Sequence, residues 1–145
     1  MVRQLSEAGI HVGVLVAPVI PAITDHEMED ILAAAKDAGA GSAGYVLLRL
    51  PHEVKTLFRE WLDVHYPERA KHVMSLINQT RGGKDYDAEF GKRMTGTGPY
   101  AELLRTRFEL ARRKCGFDDA HDRHELDTSL FRPPPANQAQ LTLGF

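Results

Sequence analysis

The run IHVGVLVAPVIP, residues 10–21, constrains this chain more than any other stretch. It is apolar almost throughout, rich in β-branched residues and closed by Pro18 and Pro21. A continuous apolar run of that kind predicts a strand buried on both faces, the pattern of parallel sheets. Thr24 followed by Glu27 has the form of a capping box, and Met28, Ile31, Leu32 and Ala35 then fall at helical spacing until Gly39 and Gly41. SAGYVLLRLP predicts a second strand, stopped by Pro51. Strand, helix and strand make one βαβ unit with a right-handed crossover, its strands at about 11–19 and 42–50. The expected fold class is α/β.

Helical signals dominate the remainder. Val54, Leu57, Phe58, Trp61 and Leu62 give one amphipathic stripe, and Trp61 with Phe58 and Leu62 reads as core packing. ERAKHVMSLINQT starts a further helix that stops at Gly82 and Gly83. From Lys84 to Gly98 the chain is polar and glycine-rich, which predicts an ordered loop pinned by Tyr86, Phe90 and Met94. Pro99 suits a first helical position, and Tyr100, Leu103, Leu104, Phe108 and Ala111 supply the buried stripe of the last helix. Three regions follow: residues 1–66 with two βα units, 67–116 with helices and the glycine-rich loop, and 117–145 with an acidic linker and a Pro-rich tail expected to be disordered.

Two parallel strands are too few for a self-sufficient sheet, because both outer edges would present unpaired backbone groups. QLSEAGI also resembles the last turn of a helix entering a strand, with Gly9 at its end. The expectation is therefore a partial (β/α) barrel fragment whose earlier strands, the missing N-terminal barrel half, lie upstream of Met1.

Composition narrows the setting. A net charge of -2 gives no global attraction to nucleic acid or anionic membrane. Cys115 is the single cysteine, so no intrachain disulfide can form. No apolar run approaches the roughly 20 residues of a spanning helix, and the N-terminus lacks a secretory pattern. A cytoplasmic protein without a membrane partner is expected.

GIHVGVLVAPVIPAITDHEMEDILAAAKDAGAGSAGYVLLRLP, with FGKRMTGTGPYAE and HELDTSLFRPP, resembles the C-terminal half of the radical S-adenosylmethionine proteins related to spore photoproduct lyase, the DNA-repair-photolyase-like group. The match runs from about Leu5 to the C-terminus, and FGKRMTGTGPYAE is its specific part. The resemblance implies the last units of a partial barrel in a lyase-like enzyme linked to DNA repair. In that family a CxxxCxxC loop holds a 4Fe-4S cluster, one iron of which binds S-adenosylmethionine. This sequence has no such triplet. The chain alone is thus expected to be inactive, and no metal ligand set is assigned to it. Cys115 reads as a helix-end packing thiol.

In such barrels ligands gather at the C-terminal ends of the strands, which makes Ala17, Pro18, Val19, Ile20, Arg49 and Pro51 the candidate cofactor-binding residues. Arg49 is the sharpest, since a guanidinium at the mouth of an apolar strand needs an anionic partner to offset desolvation. Arg81, Lys84, Lys92 and Arg93 form a candidate anion-binding set before a helix N-terminus. Between Arg81 and Lys114 nine Lys and Arg stand against five Asp and Glu, a local excess of four positive charges suited to a DNA phosphate track. Tight turns and a solvated helix face explain the same residues without a ligand. Cys115, His121, His124 and Glu125 are irregularly spaced in a charged linker and read as surface residues rather than a metal site.

The tail FRPPPANQAQLTLGF ends on an apolar run that resembles the Gln-Leu-x-Leu-Phe peptides that dock on the bacterial sliding clamp. That resemblance makes Gln140, Leu141, Leu143 and Phe145 candidate partner-binding anchors, with the proline segment as a stiff spacer. Gly144 departs from the pattern. Three functional classes remain open: a segment of a radical S-adenosylmethionine enzyme, a non-catalytic DNA- or clamp-binding module, and a truncated reading frame.

Overall fold

The computed structural model describes residues 1–117, 129 and 131–133. Helix α1, Val2–Glu7, ends through Ala8 into Gly9, whose φ of 77° returns the chain toward the first strand. Strand β1 spans Gly13–Val19, helix α2 Met28–Asp37 and strand β2 Ser42–Leu47. Helices α3, Val54–His65, α4, Ala70–Gln79, and α5, Pro99–Lys114, complete the order. The strands pair in parallel as the βαβ pattern requires, with Gly13 opposite Ser42 and Val16 opposite Tyr45. The register slips between Val16 and Val19, where Pro18 has no N–H to give the ladder.

Both strands are shorter than their apolar runs. Beyond Leu47 the backbone leaves the sheet, yet Leu48 still donates its N–H to the Val19 carbonyl at 2.9 Å. The capping box does not form either. The Thr24 hydroxyl turns back instead, accepting the Ile20 N–H at 2.9 Å, and a 3-10 turn, Asp25–Glu27, leads into α2. Threonine side chains near a helix start offer the backbone this local alternative.

A first core joins Val16 and Val19 of β1, Met28, Leu32 and Ala35 of α2, Leu47 of β2, and Leu104, Phe108 and Ala111 of α5. Tyr45 tilts against Phe108 with ring centroids 4.8 Å apart. Tyr100 at the start of α5 bonds Asp25 beside the start of α2, and Lys36 near the end of α2 bonds Gly116 just past the end of α5. The two helices therefore run side by side in the same direction. The helix flanking α2 is α5, which arrives from far along the chain, rather than α3, which follows β2 directly.

A second core lies just past the C-terminal ends of the strands. Ile23, Leu48 and Leu50 meet Leu62 of α3 and Ala70, Val73, Met74 and Ile77 of α4. Here the expected α3 stripe needs correction. Of its five residues Leu62 is fully buried and Phe58 half-buried, whereas Leu57 is 60% exposed and Val54 and Trp61 are exposed too. Trp61 stacks on Phe58 and leans on Tyr66 at the helix surface rather than filling the core. Leu103 of α5 is likewise exposed, whereas Ala101 and Arg112 of the same helix, outside the expected stripe, are buried.

The expectation of a strand covered on both faces is also corrected. Val16 and Val19 are buried, but Leu15 is 61% exposed, and Ala17 and Pro18 are exposed with it. One face of the strand pair is packed and β1 shows its other face bare.

Candidate functional site at the strand ends

The C-terminal end of β2 is held by a buried cation. Arg81, just past the end of α4, is 2% exposed and points inward. Its guanidinium donates to the Leu48 carbonyl at 2.9 Å, the Leu47 carbonyl at 3.5 Å and the Lys92 carbonyl at 3.0 Å. Arg81 thus ties β2, α4 and the glycine-rich loop together. Its charge is solvated by neutral carbonyls, and burial pushes its pKa below the ordinary arginine range. The Nε atom has no partner among the described residues.

The loop closes over the same place. Met94 accepts the Leu47 N–H through its carbonyl at 2.8 Å, and Thr97 donates its N–H to the Thr80 carbonyl at 3.0 Å. Gly96 and Gly98 sit at φ of 73° and 89°, where side chains strain the backbone, and a Cβ on Gly96 would lie 3.0 Å from the Thr80 carbonyl. Gly96 and Gly98 therefore serve close approach of the loop to β2 and to the end of α4. Phe90 does not pin the loop as expected. It is 86% exposed, with the Arg93 guanidinium over its ring at 5.3 Å.

Arg49 stands between these elements, half-buried under the loop. It donates to the Tyr86 hydroxyl at 3.1 Å and faces the Met94 sulfur at 3.8 Å, while its Nε is buried without a partner. No carboxylate within ion-pairing distance meets Arg49 or Arg81 among the described residues. The nearby acids are otherwise engaged: Asp85 pairs with Arg59 at 2.7 Å, and Asp87 accepts the Glu89 N–H at 2.9 Å.

The other expected mouth residues offer little polar surface. Val19 is buried in the first core, and the Ile20 carbonyl accepts N–H groups from Ile23, Thr24 and Asp25. Ala17 and Pro18 are exposed on the bare face, and Pro51 is half-buried. The expected anion set is not gathered into one site. Arg81 faces inward, Lys84 is exposed, Lys92 pairs with Glu89 at 2.8 Å and Arg93 rests on Phe90. His121, His124, Glu125 and the anchors Gln140, Leu141, Leu143 and Phe145 lie outside the described residues.

A second polar cluster went unnoticed in the sequence. Arg107 of α5 clamps the Glu29 carboxylate with two bonds of 2.9 Å and reaches Asp25, while Tyr100 donates to Asp25 Oδ2 at 2.9 Å. The Arg107 bond holds the Glu29 carboxyl below its ordinary value. Burial, and then the Asp25 carboxylate, push the Tyr100 phenol up to about 12. The only sequence cue was Tyr100 one residue after a helix-starting proline, which reads as core. Cys115 packs partly buried at the far end of α5, beside Gly116, and so stands away from the strand ends.

No family model, curated protein or solved structure matches the chain. No helix among the described residues is long and apolar enough to cross a membrane.

Proposed function

We propose that this chain is one wall of a partial (β/α) barrel of the radical S-adenosylmethionine type, contributing the ligand-facing strand ends of an enzyme completed by other strands. The observation that carries the reading is the asymmetry of the strand pair. The outer edge of β2 is met at its C-terminal end by Met94, and the carbonyls there by Arg81, while the outer edge of β1 has no strand beside it among the described residues. A sheet built in this way grows from β1, which makes β2 its closing strand. The helices α2 and α5, side by side on the covered face, supply the outer layer of such a barrel.

The cluster itself does not fit this chain. A 4Fe-4S centre needs three thiolates, and the single Cys115 sits at the opposite end of α5 from the strand ends. When bound, the cluster and S-adenosylmethionine supply one-electron chemistry that protein side chains lack. The role open to this chain is shape and charge at the mouth, with Arg49 as the polar contact.

Anaerobic reconstitution of the isolated chain with iron and sulfide tests the reading. No four-iron absorbance is expected from it. Adding a polypeptide that carries an in-frame CxxxCxxC segment from upstream of Met1 should restore the absorbance and cleave S-adenosylmethionine, and cleavage should fall when this chain is withheld. A stable cluster on the isolated chain, or no such segment upstream, would sink the proposal.

A further inference from the structure

Arg49 and Arg81 bring two guanidinium groups to the end of β2, near enough for the charge of Arg49 to act on Arg81. Arg81 bonds the carbonyls of Leu47 and Leu48, and Arg49 is the next residue. Their partners, three carbonyls, a phenol and a thioether, are all neutral. Each retains an unpartnered Nε, although Arg81 is almost wholly buried. Charged groups in protein interiors are normally paired, since an unmatched charge bears the full cost of its desolvation. Among the described residues the acids of the adjoining loop leave both guanidinium groups without an ion pair: Asp85 pairs with Arg59 and Glu89 with Lys92, while Asp87 accepts the Glu89 N–H and acts on Arg81 only from beyond ion-pairing distance.

We propose that Arg49 and Arg81 form an oxyanion subsite beneath the loop of residues 84–98, which takes a phosphate or carboxylate group of a bound ligand. Arg49 makes the direct contact and Arg81 adds fixed charge behind it. Tyr86 occupies one Nη of Arg49 at 3.1 Å, and the weaker 3.8 Å contact to the Met94 sulfur leaves the other Nη readily released. Guanidinium presents two parallel donors to such groups, a match that a lysine cannot reproduce. The subsite belongs to this chain alone and does not depend on the iron-sulfur reading.

The test compares thermal unfolding of the full 145-residue chain in sodium phosphate, sodium acetate and sodium chloride at equal ionic strength. A ligand that binds the folded state alone raises the midpoint as its concentration passes Kd. Phosphate stabilises folded proteins generally by exclusion from their surface, so only the part of a rise in phosphate or acetate that Arg49→Met removes identifies a phosphate or a carboxylate site. Arg49→Met should diminish the rise while leaving the anion-free midpoint unchanged or higher, because it removes one of two like charges. Arg49→Lys should weaken the response, and Tyr86→Phe should strengthen it by freeing Nη2. Equal midpoints in all three salts overturn the proposal, as does an undiminished response in Arg49→Met. Should Arg49→Met fail to fold, phosphorus NMR titration of the Tyr86→Phe protein decides, and affinity no tighter than the parent overturns it.

Discussion

Single residues carry two roles that their types alone did not disclose. Arg81 reads as an anion ligand because basic and glycine residues precede a helix N-terminus, yet it is the buried fastener of β2 to the loop. Arg81→Ala would strip three carbonyls of their donor and is expected to cost about 2–4 kcal/mol. Urea denaturation should show this as a lower midpoint at unchanged slope. The Tyr100, Asp25, Arg107 and Glu29 cluster makes stability depend on pH from both sides. The Tyr100 phenol, raised to about 12 from 10.0, favours the folded state at neutral pH, and that contribution fades as pH rises from 10.0 toward 12. Tyr100→Phe should flatten the alkaline loss of melting temperature in that window. Glu29, held below its ordinary 4.5, contributes above that value and loses its contribution as pH falls beneath it. Glu29→Gln should therefore reduce the acid sensitivity of the midpoint. In the sequence Tyr100 reads only as stripe packing and Glu29 carries no signal, because the partners of the cluster lie 75 to 82 residues apart.

Elements were legible where the pattern was local. The strand, helix and strand of the βαβ unit, the stop at Gly39 and the start of α5 at Pro99 were all readable from short stretches, since φ preference and periodicity act over a few residues. Which face each element buries was less legible. The α3 stripe held enough apolar residues for a buried helix, yet two-sided apolarity cannot say which side the core takes. The structure answers through Leu62, and Leu62→Ala should cost about 2–5 kcal/mol. Leu57→Asp, on the exposed side, should change stability by only about 0.5 kcal/mol. Equal losses in chemical denaturation would mean that α3 packs by its other face. The glycine-rich loop is held by backbone contacts, by Arg81 and by the bonds of Tyr86 to Arg49 and of Asp85 to Arg59; of these only Tyr86 stands out in the sequence as an anchor.

At the scale of the molecule, the sheet remains the unfinished part. A bare face at Leu15, Ala17 and Pro18 on a two-stranded parallel sheet predicts concentration-dependent self-association, measurable by sedimentation velocity. Leu15→Lys should suppress it without unfolding the chain, and a monomer at every concentration would argue that the face needs no cover. The first core draws on Val16 near one end and Phe117 near the other, with Lys36 reaching Gly116 across 80 positions. On a ribosome this has a temporal meaning. The strand pair and α2 emerge early, but Leu104, Phe108 and Phe117 emerge well after them, so the nascent sheet waits with its covered face open until residue 117 has left the exit tunnel. Throughout that interval the growing chain presents to chaperones the very residues that later become its most protected.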